Sequence, residues 1–306
     1  MLMDACAELD GELRHRPEFA HTSHLLVMVG GQVVHDAHYH GPEVADVFSI
    51  AKSVVATLAG IAVRDGLLSD LDTPVERVLD ELAGRPCAGQ TLRHLLTMTR
   101  GSEPDDIDEV MALPAGWLAR IADAPTIAPP GTTFRYDDGA AHLFGAALAR
   151  LVGMPLADYA ARELFAPLGI ARWHWPRDPD GLDYGFAHLR LSAHDLAKLG
   201  TLWLDGGAWR GRRLMDPAFA NEMVAPQSVG GWPEDRQYGY LMWIDEHGPF
   251  AGGWAGQHVT IVPEARAIIV TTGDPRFDPG PPPTDQLPAG WRPARELAVE
   301  RLPFFR

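Results

Sequence analysis

Val47–Val63 reads VFSIAKSVVATLAGIAV, a run that is apolar almost all round. Helices of that composition are buried inside a domain rather than laid on its surface. The one charged residue, Lys52, stands three positions after Ser49, so both side chains share one helical face. The chain holds only two lysines, Lys52 and Lys198, against twenty-four arginines. Arginine stays charged in proteins, whereas a buried lysine can give up its proton and act as a base. A serine hydroxyl is a weak nucleophile until a neighbouring base activates it. Ser49 and Lys52 therefore read as a nucleophile and its activator. The plainer alternative makes Ser49 a helix cap and lets Lys52 extend out to solvent. Spacing alone does not separate the two.

At 306 residues the chain has ample material for one large domain or two closely joined ones. Apolar content of 46% with 22% charged residues is ordinary for a globular protein. No run of eighteen apolar residues appears, so no membrane partner is expected. The N-terminus lacks a basic segment followed by an apolar one, and a cytoplasmic location is the expectation. Cys6 and Cys87 are too few for a disulfide framework, and neither sits in a metal-ligand pattern. A net charge of −15 argues against a nucleic-acid partner, which needs clustered cations.

Outward from the central run, His24–Val29 and Gln32–Tyr39 flank Gly30-Gly31, which suits a two-residue hairpin turn. His35, His38 and His40 crowd there, but strand alternation puts His35 on the opposite face, so an ordinary strand surface is expected and no metal. On the other side, Asp65-Gly66 ends the helix, and Thr91–Met98 reads as a packed helix in which His94 is structural. A helix is expected from about Gly139 to Val152, with Asp138 suited to capping it. Ser192 opens another helix to about Leu204. Tyr238–Ile244, Gly256–Val262 and Ala267–Thr272 have strand character. Pro275–Gly290 reads as an irregular connection, and Trp291–Leu302 as a final helix. Strands at both ends with helices between them predict a single α/β unit over 1–306. Its sheet is drawn from about 1–62 and 184–306, with a helical insertion at about 63–183.

Three separated stretches, Ser49-Ile50-Ala51-Lys52, Tyr136-Asp137-Asp138 and Trp254-Ala255-Gly256, occur in the order and spacing of the serine β-lactamase-like hydrolases. That superfamily includes class C β-lactamases, D-alanyl-D-alanine carboxypeptidases, family VIII esterases and 6-aminohexanoate-dimer hydrolase. The linking segments Thr91–Gly101 (TLRHLLTMTRG) and Leu164–Ile170 (LFAPLGI) resemble it as well. The resemblance covers roughly Leu25 to Thr272. It implies a β-lactamase/transpeptidase-like fold, with a mostly antiparallel sheet flanked by helices.

The resemblance also implies a mechanism. Ser49 would attack a carbonyl carbon and form an acyl-enzyme, with Lys52 and Tyr136 sharing its proton. Backbone N–H groups of Ser49 and Gln257 would form the oxyanion hole, and Asp138, Trp254, Ala255 and Gly256 would line the site. No cofactor or metal is required. Two departures bear on the substrate. Asp138 stands where the family generally has Asn, so its carboxylate is expected beside Lys52, raising that lysine's pKa and leaving Tyr136 to take the proton. Trp254 stands where β-lactamases and peptidases carry the lysine of Lys-Thr-Gly, which helps receive a substrate carboxylate. An indole cannot pair with a carboxylate, so a small ester or amide is the expected substrate. β-Lactamase or D-alanyl-D-alanine peptidase activity is the alternative. A non-catalytic scaffold retaining the fold is the alternative of another class.

Overall fold

In the computed structural model, which describes residues 2–274 and 290–305, the central run becomes a helix whose residues Ile50 to Ala62 are all buried. Each large aliphatic side chain so enclosed contributes about 1.5–3 kcal/mol. Val47, Phe48 and Ser49 fall outside the helix, which begins at Ile50.

The chain starts with α1 (Leu2–His15), followed by the hairpin of β1 (Thr22–Val29) and β2 (Gln32–His38). Gly30 and Gly31 take φ of 57° and 80°, the paired positive values a tight hairpin turn needs. Strand β3 (Val44–Asp46) leads into α2 (Ile50–Arg64). Short helices follow: α3 (Val75–Val78), α4 (Leu92–Leu96), α5 (Ile107–Met111) and α6 (Trp117–Ala122). Then come α7 (Asp138–Val152), α8 (Leu156–Ala160) and α9 (Ala166–Leu168), the last two joined by a π turn at Ala161–Phe165. Strand β4 (Arg190–Ser192) pairs with β3 and enters α10 (Ala193–Leu204).

The hairpin β5 (Ala208–Trp209) and β6 (Arg212–Arg213) and helix α11 (Pro217–Met223) precede the remaining strands. These are β7 (Ser228–Gly231), β8 (Arg236–Tyr238), β9 (Trp243–Asp245), β10 (Gly248–Gly253), β11 (Gln257–Val262) and β12 (Ala267–Gly273). Helix α12 (Ala294–Arg301) follows.

Eight strands form one antiparallel sheet in the order β2-β1-β12-β11-β10-β9-β8-β7, so both ends of the chain build it. Alternation along β1 sends Leu25 and Val27 to one face, where they pack with Cys6, Leu9 and Leu13 of α1 and Leu297 of α12. Leu26 points to the other face, into the large core that holds α2, α7 and α10. Gly200 lets α10 press onto the sheet, since a Cβ there would lie 2.8 Å from Ile268 and 3.0 Å from Val259.

One expectation needs correction, and one strand was not foreseen. Tyr238–Ile244 is not one strand: the chain turns at Gly239–Met242, with Leu241 at φ 50°, and Tyr238 pairs with Trp243 across an antiparallel ladder. Tertiary bonds fix the turn, Leu241 N–H donating to the Leu96 carbonyl and Tyr240 N–H to that of Met223. The second miss is β10, GPFAGG, whose glycines and proline carry low strand propensity. Its glycines answer to the site, described next. The expected connection at Pro275–Gly290 lies outside the described residues apart from Gly290.

Candidate active site

Ser49 and Lys52 meet as their spacing implies. Ser49 precedes the first turn of α2, and its hydroxyl makes no capping bond to the helix. Lys52 Nζ lies 2.7 Å from Ser49 Oγ. Lys52 is 1% exposed while Ser49 stays partly open to solvent, so neither the cap nor the outward-reaching lysine holds.

Three groups surround Lys52 Nζ: Ser49 Oγ, the Phe186 carbonyl oxygen at 2.9 Å and Asp138 Oδ1 at 2.6 Å. An ammonium donates to Ser49 Oγ and to the Phe186 carbonyl and faces Asp138 as an ion pair. A neutral amine keeps an N–H for Phe186 and turns its lone pair toward the serine proton. The surroundings thus serve both protonation states. Burial pulls the lysine below its ordinary range, against the smaller upward pull of the Asp138 carboxylate. Asp138 is therefore beside Lys52 as expected, but the net direction is the reverse, because complete burial outweighs one partly exposed carboxylate.

Asp138 is free to face Lys52 because it does not cap α7. Asp137 is the cap, its Oδ1 accepting from Ala140 N–H at 3.1 Å. The other Asp137 oxygen pairs with Arg100, both residues being 2% exposed. Sequence reasoning placed the cap one residue too late.

Tyr136 stacks on Trp243 with centroids 5.5 Å apart and planes at 16°, while Lys52 Nζ stands 5.0 Å from its ring centre. Burial pushes its hydroxyl well above the ordinary tyrosine range; the charges of Asp138 and Glu234 add to this, and a hydrogen bond with Ser49 opposes it. Tyr136 thus rests as a neutral phenol beside the serine, and of the two groups Lys52 has the direction suited to a base.

Ser49 is held by a turn the sequence reading overlooked. Phe48 has φ 46°, a left-handed conformation unfavourable for a bulky residue. Its N–H donates to Asp46 Oδ1 at 2.7 Å, and Asp46 Oδ2 meets His188 Nδ1 at 2.7 Å. Val47 N–H donates to the Leu189 carbonyl. The strain is thus held by β3 and by the segment leading into β4. Only one faint sequence signal existed, a carboxylate three residues before Ser49. The Phe186 carbonyl could not be found from residue types at all.

The third motif forms a short turn between β10 and β11. Trp254 meets Phe48 edge-on at 5.2 Å, beside Ser49. Ala255 and Gly256 take φ of 60° and 83° and are buried. Their contacts run to β12 and Trp291: Gly256 O accepts from Thr271 Oγ1, and a Cβ at Gly256 would lie 3.2 Å from the Trp291 ring. The Gln257 side chain is spent on Gly273, to which Nε2 donates at 2.7 Å, leaving only its backbone for the site. Gly253 pairs with Gln257 in the ladder and sits against the turn that carries Ser49. A Cβ there would lie 2.6 Å from Val47 O and 3.2 Å from Ser49 N.

A buried lysine on a serine, a tyrosine beside both and a strand pressed against the serine amide come together on an α/β fold. The chain belongs to the beta-lactamase family, whose profile matches residues 12–283. It is 26% identical over 302 residues to the 6-aminohexanoate-dimer hydrolase of Paenarthrobacter ureafaciens, covering 88% of this chain and 76% of that protein. Among solved structures, it superposes on the octameric penicillin-binding protein homologue from Pyrococcus abyssi with a TM-score of 0.76 at 19% identity, covering 98% of this chain and 79% of that one. A family VIII carboxylesterase gives 0.71 at 14% identity, covering 89% and 91%. The fold is thus β-lactamase/transpeptidase-like, and the chain is a member of a serine hydrolase superfamily. No single helix among the described residues is long and apolar enough to cross a membrane.

Proposed function

We propose that the protein hydrolyses small esters or amides through an acyl-enzyme on Ser49. One observation carries the reading: Lys52 Nζ, 1% exposed, lies 2.7 Å from Ser49 Oγ. Ser49 Oγ attacks the carbonyl carbon as the Lys52 amine takes its proton. Backbone N–H groups of Ser49 and Gln257 receive the developing oxyanion. Neutral Tyr136 gives its phenolic proton to the departing alcohol or amine and regains one from the Lys52 ammonium. Water then attacks the acyl carbon by the same proton path and releases the acid.

The charges argue for the ester or amide over a β-lactam. Trp254 stands where a cation would receive a substrate carboxylate, and Asp138 and Glu234 bring negative charge to the site. A carboxylate-bearing substrate would face those two groups with Lys52 already engaged by Asp138.

A panel of p-nitrophenyl esters, short amides and nitrocefin tests the reading. Turnover of short esters well above that of nitrocefin, lost in Ser49→Ala, is the expected outcome. Nitrocefin turnover equal to that of esters overturns the substrate class. Turnover surviving in Ser49→Ala overturns the nucleophile, and none on any substrate leaves the scaffold reading.

A further inference from the structure

Away from Ser49, three side chains from three elements converge on one point. His24 Nε2 of β1 lies 2.6 Å from Asp36 Oδ1 of β2, and His194 Nε2, near the start of α10, lies 2.9 Å from Asp36 Oδ2. His194 comes 158 residues after Asp36, so no local spacing announced the group. The trio is also not the one that crowds in the sequence, since His35 and His40 take no part. All three ligand atoms lie within 4.8 Å of one another.

We propose that His24, Asp36 and His194 form a binding site for a divalent transition-metal ion, Zn²⁺ or its analogues Co²⁺ and Ni²⁺. Two imidazole nitrogens and one carboxylate suit these ions, whereas Mg²⁺ and Ca²⁺ prefer all-oxygen shells. Zinc–ligand bonds of about 2.0–2.2 Å place tetrahedral ligand atoms roughly 3.3–3.6 Å apart. The ion takes the place of the two hydrogen bonds by which Asp36 now bridges the imidazoles, and side-chain movements of about 1 Å bring the set to that spacing. The frame is firm: β1 and β2 are paired, and a capping box of Ser192 and Asp195 fixes the start of α10.

The trio stands on the wall of an open cavity of about 460 Å³, which leaves coordination positions for water. His38 lies opposite His24 in the ladder, ring centroids 5.5 Å apart, within reach as a fourth ligand. The nearby Arg172 cation is paired with Glu43 at 3.2 Å, so it does not oppose an incoming ion. A bound ion would tie the edge strand β2 to α10.

The test is titration of the tag-free full chain with Zn²⁺ by calorimetry and with Co²⁺ by visible absorption, with melting temperature followed alongside. Wild-type protein is expected to bind one ion per chain, to show a Co²⁺ ligand-field band and to melt higher with Zn²⁺. His194→Ala removes a ligand that is half exposed, so the fold persists, and it should weaken binding at least tenfold. Asp36→Asn keeps the shape but not the charge and should do the same. Absence of binding by wild type overturns the proposal. So does wild-type affinity in both variants, because the ion then sits elsewhere.

Discussion

Gly253 and Gly252 are adjacent on β10, yet alanine at each should have opposite consequences. Gly253 has φ −148° and ψ 155°, extended values any residue adopts, so an added methyl acts through contact alone. That methyl would lie 2.6 Å from Val47 O, 3.2 Å from Ser49 N and 3.2 Å from Gln257 Cβ. Carbon–oxygen contacts settle near 3.3 Å, so the Val47 carbonyl must retreat by about 0.7 Å. It cannot move alone, because it accepts the Ile50 N–H at 3.1 Å in the turn that carries Ser49. Misplacement of a reacting group by 1 Å costs about 10²-fold in rate, and overpacking costs about 1–3 kcal/mol of stability. At Gly252 the methyl would meet only side-chain atoms, at 3.5–3.6 Å, an ordinary contact. The assay is kcat/KM on a p-nitrophenyl ester together with a thermal melt. Gly253→Ala should lose about 10²-fold while Gly252→Ala stays near wild type. A Gly253→Ala enzyme retaining more than half its activity would refute the idea that β10 sets the nucleophile's position.

Asp138→Asn should move the rising limb of the kcat/KM–pH profile to lower pH. In the proposed mechanism the base is the neutral amine, so rate climbs as pH passes the Lys52 pKa; burial lowers that pKa and Asp138 raises it. Removing the carboxylate leaves burial opposed only by the weaker upward pull of Asp137, and because Asp137 is the cap, α7 keeps its start; an unmoved limb would show that the charge does not reach the reaction. Asp137→Ala should destabilise the fold by about 3–5 kcal/mol, because it strands the buried Arg100 guanidinium without its counter-charge. Denaturant unfolding with no loss in midpoint would contradict that.

What the sequence disclosed and what it concealed divide along physical lines. The helix at α2 was legible because an apolar face on every side has one resting place, the interior. The Ser49–Lys52 contact followed from helical periodicity, and the Gly30-Gly31 turn from backbone freedom. Local patterns of this kind need no knowledge of the rest of the chain. Strand β10 was hidden because Gly252 and Gly253 weaken strand propensity, while Gly253 answers to a neighbour, the Val47 carbonyl, that only the fold supplies. The break at Leu241 depends on Leu96, far away in sequence. The balance on Lys52 was misjudged for the same reason: the Asp138 charge was visible in the motif, but the completeness of the burial opposing it was not. The support for Phe48 from Asp46 and His188, and the Phe186 carbonyl on Lys52, likewise exist only once distant segments meet.

The central claim is that Lys52 makes Ser49 nucleophilic, and covalent labelling reads it most directly. Intact-mass spectrometry after incubation with a fluorophosphonate, followed by peptide mapping, reports both the labelled residue and its rate. The account predicts one adduct per chain, located on Ser49, and labelling at least about 10²-fold slower in Lys52→Arg, whose guanidinium cannot take the serine proton. Equal labelling of wild type and Lys52→Arg, or an adduct on any residue other than Ser49, would contradict it.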